Sequence, residues 1–433
     1  MRIGSWNQIT AALKAILPII LTSGMLLARV MPPLASVINV GPTMTTAQIN
    51  AAIAGAAPGD TIQFADGTYA LTDHIIVGVV GVTVLGSPSN PATVIVDAGS
   101  SNIDGFRVMS DRITIKGFTI RNGHYGIFIT ASNNVAENCI LNNNQRGIEI
   151  GSDSSSGNRV TNCIIRESSE AGIWIHGSNH NIGGCMVSNN CARGIYLADF
   201  SCNISVKNCT VSGHSLAGIW IEGSRGNTID NCTTFGNHFG VHIKGASNNT
   251  IVNCVSHNDT FNGINVKFGS LGSVIRNCIV YGAGDTGIDI STSSRDNTVD
   301  GCTIYSPRYD GIYLYESKNN TIRNCRIHNC PQFGILIGEL GLPTETSNTI
   351  ADCAIYKCFR GINIWYGADS NVIRRCDIFN HAHQGINIEA GANGNTIENC
   401  RIHDNNLQGI RINTSNRTTV RQNTLSGNLG NGI

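Results

Sequence analysis

Charged and aromatic residues recur at equivalent positions of a repeated sequence pattern in the middle of this 433-residue chain. Among them are His242, Lys244, Lys267 and Tyr313. Abstraction of a proton beside a carboxylate requires a cation that holds the carboxylate, a base with a pKa near neutral, and an acid. His242 could be the base, with Lys244 and Lys267 as the cations. Tyr313 could be the acid, so these residue types allow a lyase or epimerase that acts on uronic-acid polymers.

Two carboxylates in the same region allow a different reaction. Asp289 and Asp310 are expected to lie one repeat apart with an offset of two residues along the strand, which places their backbones about 8 Å apart. This separation is compatible with the two carboxyl groups of an inverting glycosidase, which lie about 6.5 to 9.5 Å apart with a water between them. Asp285 is a further carboxylate nearby. A glycoside hydrolase is therefore a second hypothesis.

Aromatic and polar residues around these charges could line a groove for an extended sugar chain. The predicted substrate-binding residues are Trp174, His176, Tyr196, Trp220, Glu222, Asn265, Tyr315 and Trp365. Large aromatic side chains are costly to expose, so a row of them indicates a binding surface. From the first to the last of these tryptophans is eight repeat steps, roughly 38 Å at about 4.8 Å per step. The alternative is that the rings only stabilise a sheet by lateral stacking.

A repeated phrase positions all of these residues. It reads G-I-x-I followed by N-T-I-x-N-C-x-I, and its glycine recurs from Gly126 to Gly432 at spacings of 21 to 27 residues. A repeat this short cannot bury its own apolar face, so the pattern predicts a solenoid. In G-I-x-I the two isoleucines point inward, and the candidate residues occupy x and the position after the second isoleucine. One face of the solenoid is thus predicted to carry the site.

Three short strands per repeat are predicted. G-I-x-I alternates with period two, but the alternation slips between Asn and Cys in N-C-x-I, so the chain must bend at the Asn. Asn tolerates the left-handed backbone of such a corner. The corner residues are Asn138, Asn162, Asn208, Asn231, Asn253, Asn277, Asn324 and Asn399, and stacking is expected to align their amides as a ladder. The sequence predicts an all-β, single-stranded parallel β-helix of about 13 regular rungs.

Twelve of the sixteen cysteines occupy one column of the repeat. They are Cys139, Cys163, Cys185, Cys209, Cys232, Cys254, Cys278, Cys302, Cys325, Cys353, Cys376 and Cys400. Metal sites need clustered spacings such as C-x-x-C, which are absent, so these residues are interpreted as small buried hydrophobes. Cys330 and Cys358 each lie five residues after a column cysteine, in a turn that could adapt. Of all pairs, this one best fits a disulfide.

The ends of the chain differ from the repeat. Residues 1–36 carry the charges and apolar run of an export signal, or of a membrane anchor if they are not cleaved. Residues 37–105 are predicted to form a cap with a helix over Thr46–Ala56, followed by irregular first rungs. The regular repeat, 106–433, stops at Gly430–Ile433 without a capping element. We expect a partner or a missing segment to cover this last rung.

The phrase A-A-P-G-D-T-I at 56–62 and the repeated N-C-x-I and G-I-x-I carry a family resemblance. Over roughly residues 45–433 the chain resembles the right-handed parallel β-helix superfamily of pectate lyases, polygalacturonases, alginate epimerases and the accessory protein NosD. The resemblance implies a right-handed β-helix, with the substrate site on the strand that follows the variable turn. The signatures D-P-H-E, R-x-P-x-x-R, G-H-G and R-I-K are absent, so no catalytic residue carries over.

Charge and composition restrict the partners. Lys plus Arg and Asp plus Glu both number 29, and charged residues make up 13%, where about 25% is typical. Such a chain has no global field for nucleic acid. No motif indicates a cofactor, a metal or calcium. The prediction is an exported protein that binds a polysaccharide, acidic polysaccharides included, with a membrane contact only through an uncleaved 1–36 segment. A non-catalytic surface or accessory protein that binds carbohydrate is the alternative from another class.

Overall fold

Three short strands in each repeat build three long parallel sheets. The structure is a computed structural model that describes residues 35–338 and 344–433, and Ser36–Ile433 forms one unit. Each strand pairs in parallel with the equivalent strand of the next repeat. Among the described residues the three sheets contain 17, 16 and 15 strands. The predicted all-β solenoid with three strands per rung is confirmed. The rungs outnumber the 13 that were predicted, because the irregular segment 37–105 already follows the same course.

Sheet 1 is formed by the T-I-x strands. Its strands are Val37–Val40, Thr61–Phe64, Thr83–Leu85, Thr114–Lys116, Val135–Glu137, Arg159–Thr161, Asn181–Gly183, Ser205–Lys207, Thr228–Asp230, Thr250–Val252, Val274–Arg276, Thr298–Asp300, Thr321–Arg323, Thr349–Ala351, Val372–Arg374, Thr396–Glu398 and Thr419–Arg421.

Sheet 2 follows the column cysteines. Its strands are Gly67–Ala70, Val94–Ser100, Thr119–Gly123, Ile140–Asn142, Ile164–Arg166, Met186–Ser188, Thr210–Ser212, Thr233–Phe235, Val255–His257, Ile279–Tyr281, Thr303–Tyr305, Arg326–His328, Ala354–Tyr356, Asp377–Phe379, Arg401–His403 and Thr424–Ser426.

Sheet 3 contains the G-I-x-I strands. Its strands are Ile75–Val77, Phe106–Val108, Tyr125–Ile129, Arg146–Ile150, Ala171–Ile175, Arg193–Leu197, Ala217–Glu222, Phe239–Lys244, Ile264–Lys267, Ile288–Ser291, Ile312–Tyr315, Phe333–Gly338, Arg360–Ile364, Ile386–Ile388 and Ile410–Ile412. A small additional sheet pairs Thr344–Glu345 with Ala368–Asp369.

The predicted helix is present and covers Thr46–Ala54, and a 3₁₀ turn lies at Pro91–Thr93. Thr45 caps the helix and exchanges hydrogen bonds with Gln48, a capping box. The helix ends two residues earlier than predicted, because Gly55 caps its last turn. Ile49 and Ile53 are buried in the core, so the helix packs on the first rungs. Residues 1–34, which carry most of the predicted export signal, lie outside the described residues. In the part of the chain that the structure describes, no helix is long and apolar enough to cross a membrane.

Isoleucine and valine from all three sheets fill the interior. Ile219 and Ile221, the two isoleucines of one G-I-x-I strand, are completely buried, as are their counterparts on neighbouring rungs. Burial of such a side chain stabilises the fold by about 1.5–3 kcal/mol. The column cysteines are also buried, and they are free thiols. Cys330 and Cys358 are free as well, so the predicted disulfide is not formed.

The corner asparagines adopt the predicted conformation, and a second, buried column of asparagines lies elsewhere in the repeat. All eight have φ between 52° and 55°, in the left-handed region. Their side chains point outward, because the corner lies between an inward isoleucine and an inward cysteine. The buried column is formed by the first Asn of N-T-I: Asn320, for example, donates from N and Nδ2 to Oδ1 of Asn348 at 2.9 and 3.1 Å. At the corner itself, Asn231 Nδ2 donates to Asn208 Oδ1 at 2.8 Å, so the expected alignment of corner amides is present at this step.

Candidate functional site

Pairing in sheet 3 brings the predicted site residues into two rows on its outer face. The first row contains Trp174, Tyr196, Trp220, His242, Asn265, Asp289 and Tyr313 in register on successive strands. The second row contains Glu222, Lys244 and Lys267, with Ser291 and Tyr315 on later rungs. The alternation of G-I-x-I therefore identified which side chains share a face.

The centre of this face is recessed rather than open. His242, Asn265 and Asp289 are 3%, 0% and 5% exposed. One reason is that the rungs above and below lie only about 4.8 Å away. Another is that the residue before each repeat glycine also points outward and covers the first row from the side. Phe239 and Asn262 occupy that position on two central rungs. Of this third row, only Asp310 was among the residues predicted from the sequence.

Asp289 is held by a cation and an amide. Lys267 Nζ lies 2.9 Å from Asp289 Oδ2, and Asn262 Nδ2 donates to the same oxygen at 3.1 Å. The other oxygen, Oδ1, is buried and has no hydrogen-bond partner among the described residues. A buried carboxylate oxygen without a donor is costly and is a natural acceptor for a ligand or a water.

Asp310 is a buried carboxyl group on the next rung. It is 6% exposed, and its Oδ1 accepts one hydrogen bond, from the backbone N–H of Phe333 at 3.0 Å. Burial raises the pKa of Asp310 to about 7, and the nearby Asp285 contributes. Burial, followed by the charge of Asp289, also raises the pKa of Asp285. The site therefore contains a carboxyl group whose pKa lies near neutral.

The offset between the two predicted glycosidase residues differs from the expectation. Asp289 pairs with Tyr313, so Asp310 is offset by three residues rather than two. At about 3.3 Å per residue and about 4.8 Å per rung, their backbones lie about 11 Å apart. Counting from the repeat glycines gives the same value, because Asp289 lies two residues after Gly287 and Asp310 one residue before Gly311. The backbone separation of about 8 Å was therefore wrong.

His242 does not have the neutral pKa that a base in this role requires. Burial, with Lys267 and Lys244 nearby, lowers the pKa of His242 to about 3. The ring contacts Trp220 edge-on at 4.5 Å between centroids and is stacked on Phe239 at 4.8 Å. Its Nδ1 lies 2.7 Å from Nδ2 of Asn265. The imidazole is thus a neutral, packed side chain.

Lys244 is also paired. Its Nζ lies 2.7 Å from Oε1 of Glu222, and the Tyr196 hydroxyl donates to Oε2 of the same carboxylate at 2.9 Å. Although burial opposes it, these two partners lower the pKa of Glu222. Both lysines that were expected to hold a substrate carboxylate therefore already contact a carboxylate of the protein.

Tyr313 retains its proton strongly. Burial, followed by the charge of Asp289, raises the pKa of its hydroxyl. Its ring lies 5.6 Å from that of Tyr315. Further along the face, Trp365 lies against Gly338 and 6.1 Å from the ring of Phe333.

Arginines cover part of the predicted aromatic platform. The guanidinium of Arg146 lies 3.7 Å from the ring centroid of Trp174, and Arg193 lies 4.7 Å from Tyr196 and 4.6 Å from Trp220. Trp174 also donates from Nε1 to Nε2 of His176 at 2.9 Å. Both arginines belong to the third row, and neither was predicted from the sequence. At these rungs the rings contribute cation–π contacts within the protein.

Exposed aromatic rings lie instead at the edge of the face. Phe200, Phe268 and Tyr366 are 85%, 54% and 50% exposed, with φ of 65°, 58° and 49°. Bulky residues rarely adopt this left-handed backbone. Gly245 occupies the position of Phe268 on the preceding rung, and the Phe268 ring lies 5.7 Å from Lys244 Nζ. The sequence signal for Phe268 and Tyr366 is an aromatic residue at a position that holds glycine on some other rungs, as at Gly245.

A second aromatic row lies on a different sheet. Rings on sheet 2 stack with centroids 4.8 to 5.3 Å apart in the order Phe235, His257, Tyr281, Tyr305, His328, Tyr356, Phe379 and His403. This row stabilises sheet 2 laterally. Among the described residues, no group of three or more His, Cys, Asp or Glu side chains is placed to hold a metal ion.

Several solved structures are similar to the chain at low sequence identity. One is a mutant of the periplasmic alginate epimerase AlgG, with 11% identity over 67% of this chain and 76% of that chain and a TM-score of 0.49. Another is the A-module of the mannuronan C-5 epimerase AlgE4 from Azotobacter vinelandii, with 14% identity, 88% and 94% coverage and a TM-score of 0.41. A third is the catalytic domain of a GH87 α-1,3-glucanase in complex with nigerose, with 13% identity, 92% and 69% coverage and a TM-score of 0.48. These likenesses concern the fold alone.

Family models match the chain over most of its length. A model described as a right-handed β-helix region matches residues 198–339 and 294–433, which together span more than half of the chain. A second, described as a Pel9A-like right-handed β-helix region, matches residues 37–164. No curated protein matches the chain significantly. With the three parallel sheets and the stacked Ile, Cys and Asn columns, these matches show that the chain belongs to the right-handed β-helix family.

Proposed function

We propose that the outer face of sheet 3 binds a glycan and hydrolyses a glycosidic bond, with Asp310 as the general acid. The observation that carries this proposal is a pair of unlike carboxyl groups: Asp310 has a pKa of about 7, whereas Asp289 is ion-paired with Lys267. Glycosidases use two carboxyl groups of which one is protonated and the other ionised. The substrate is inferred from this chemistry and from the surface around it.

In the proposed reaction, Asp310 donates its proton to the glycosidic oxygen as the bond from that oxygen to the anomeric carbon breaks. A water adds to the anomeric carbon, and its proton passes to Asp289. Oδ1 is the atom of Asp289 that is free to accept this proton, because Lys267 and Asn262 both contact Oδ2. Proton exchange with solvent then restores both side chains.

The edge aromatics support a sugar ligand. Phe268 is exposed and has a strained left-handed backbone, a combination that is costly for stability. Strained residues cluster at ligand-binding positions. Phe268 follows Lys267 directly, so its ring lies at the rim of the carboxyl cluster. We infer that it packs against the apolar face of a sugar ring.

The charge balance favours a neutral glycan over a uronic-acid polymer. Lys244 and Lys267 are each within 3 Å of a carboxylate of the protein, so binding of a substrate carboxylate would have to break an ion pair. His242, with its pKa of about 3, is a weak base at neutral pH. These two facts make the lyase or epimerase hypothesis the weaker one.

The test is incubation of the purified protein with neutral glucans, galactans and mannans, and with alginate and polygalacturonate. Reducing ends and the absorbance of unsaturated uronates are measured in parallel. We expect reducing ends from a neutral glycan and no unsaturated product. Asp310→Asn should lower kcat by about 10²- to 10⁴-fold, and Phe268→Ala should raise KM more than it lowers kcat. Asp296→Asn, at an exposed carboxylate away from the face, is the matched control.

Three results would contradict the proposal. Unsaturated uronates from alginate or polygalacturonate would establish a lyase. Binding to a glycan without either product would favour a non-catalytic carbohydrate-binding protein. Unchanged hydrolysis in folded Asp310→Asn would remove Asp310 as the acid.

A further inference from the structure

Two thiols outside the cysteine column lie side by side. Cys330 and Cys358 follow His328 and Tyr356, which pair in register in sheet 2. Both are free thiols on adjacent rungs. At about 4.8 Å per rung, their Cα atoms fall within the range of about 4.4–6.8 Å that a disulfide spans. Each cysteine lies after the end of its strand, where the backbone is irregular and can adapt.

The two cysteines form the floor of a surface pocket. The pocket has a volume of about 480 Å³, and its walls include Lys357, Phe359 and His381. The cysteine side chains are only 1% and 3% exposed, so a reagent in the pocket reaches the sulfurs when the turn that lines the pocket opens locally. Their thiols donate only weakly, to carbonyl oxygens at 3.7 and 3.5 Å.

On these two rungs the column thiols are bound more closely by the backbone. Cys325, on the rung of Cys330, donates to the carbonyl oxygen of Arg323 at 3.1 Å. Cys353, on the rung of Cys358, donates to that of Ala351 at 3.2 Å. The column pair on these rungs is therefore an internal control for the pocket pair.

The surroundings of Cys358 favour its thiolate. The neighbouring Cys330 thiol and then the His381 ring lower the pKa of Cys358 to about 6, although burial opposes them. His381 is placed by a hydrogen bond from the backbone N–H of Cys358 to its Nδ1 at 3.2 Å. For Cys330, the neighbouring Cys358 thiol and then burial raise the pKa. Neighbouring thiols likewise lower the pKa of Cys325 and raise that of Cys353, so the pocket and the irregular turn are what distinguish Cys330 and Cys358 from the column pair.

We propose that Cys330 and Cys358 are a redox-active dithiol that reacts with small disulfides of the glutathione class. The Cys358 thiolate attacks one sulfur, the disulfide of the small molecule breaks, and one thiolate leaves. Cys330 then loses its proton to solvent and attacks the Cys358 sulfur, which releases the second thiolate. The pair is oxidised by two electrons, and the small disulfide is reduced to two thiols. Lys357 at the pocket mouth attracts the carboxylates of such a molecule.

The experiment uses the full chain with Cys191→Ser and Cys202→Ser, which removes the thiols that are exposed and half-exposed in the described chain. The folded protein is incubated with oxidised glutathione, trapped with N-ethylmaleimide in denaturant and mapped by mass spectrometry. We expect a loss of two hydrogen atoms and a Cys330–Cys358 link. Cys330→Ser should accumulate a glutathione adduct on Cys358. In Cys358→Ser the adduct on Cys330 should form at least about 10-fold more slowly, because the thiolate is the nucleophile.

Two outcomes would overturn the proposal. One is that the folded protein remains fully reduced at both positions. The other is that the column pair Cys325–Cys353 links as fast as Cys330–Cys358. The link itself is measured with both pocket cysteines intact, so the test does not depend on the folding of the serine variants. Circular dichroism before and after oxidation verifies that the reacting protein is folded.

Discussion

Lys267 Nζ lies 2.9 Å from Oδ2 of Asp289, on adjacent strands of sheet 3. Asp289 is 5% exposed, whereas the Lys267 side chain is 23% exposed. A carboxylate in such a position retains its charge only if a cation compensates for the lost hydration. The Lys267–Asp289 ion pair therefore stabilises the central rungs and also keeps the proposed proton acceptor, Asp289, in place.

Removal of this cation should destabilise the fold. In Lys267→Met the Asp289 carboxylate is left buried without its ion pair, and we expect the free energy of unfolding at pH 7 to fall by about 1–3 kcal/mol. Lys244→Met is the matched control, because the Lys244–Glu222 pair is more exposed and should contribute less than about 1 kcal/mol. Urea denaturation measures both. Equal losses in the two variants would argue against a special role for burial.

Asp310 should make the protein less stable as the pH rises. Its pKa is about 3.9 in an unfolded chain and about 7 in the fold, so the folded state holds the additional proton between these values. Stability therefore falls as the pH increases from about 4 to about 7. Asp310→Asn should unfold at a higher temperature than the wild type at pH 8 and at a similar temperature at pH 4. Part of the slope should remain in the variant, because burial also raises the pKa of Asp259 to about 7.

The melting temperature between pH 4 and 8 is the measurement for Asp310. Asp296→Asn, at an exposed position, should reproduce the wild-type curve. If the Asp310→Asn curve keeps the full wild-type slope, Asp310 is ionised in the folded protein at neutral pH, and its role as an acid fails with it.

His214 should make the protein sensitive to acid. Burial lowers the pKa of His214 to about 4, against about 6.5 when unfolded. The unfolded state therefore binds more protons between these values, and stability is lost as the pH falls from about 6.5 to about 4. Its neighbours in the buried column are Asn190 and Asn237, so His214→Asn preserves the hydrogen-bonding pattern.

We expect His214→Asn to lose less stability than the wild type between pH 7 and 4.5, by up to a few kcal/mol. Chemical denaturation at the two pH values measures this difference. His238→Asn, at a half-exposed position, should change the acid sensitivity little. A variant as acid-sensitive as the wild type would exclude His214 as a source.

The buried asparagine column should be more sensitive to substitution than the corner asparagines. Asn320 accepts from N and Nδ2 of Asn297 at 3.0 and 3.1 Å, so Asn320→Ala leaves both donors unpaired in the core. We expect a loss of about 2–4 kcal/mol. Asn324→Gly removes a corner side chain that is exposed and has φ of 54°, a conformation that glycine adopts freely. A loss of more than about 1 kcal/mol there, or a smaller loss at Asn320, would contradict this ranking in thermal or urea unfolding.

Much of the site was predictable because side chains alternate along each short G-I-x-I strand and the strand recurs once in every repeat. The rows that contain Trp220, His242 and Asp289 follow directly from counting alternate residues from the repeat glycine. In the third row, Arg193 was not predicted, and Asp310 was predicted with an offset of two residues instead of three. The residues of this row lie before the glycine, where strict alternation is lost, and their contacts depend on the pairing of rungs.

The sequence by itself determined the solenoid, the number of strands per rung, the inward Ile and Cys columns and the face that carries charges and aromatic rings. These features depend on residue type and spacing within one repeat. Only the tertiary structure decided that His242 is buried and neutral, that the lysines are already paired, and that the pKa of Asp310 lies near neutral. The physical reason is that pKa values and ion pairs depend on desolvation and on charges from neighbouring rungs. Residues on those rungs are more than twenty positions away in the chain, and their distances are set by register rather than by local sequence.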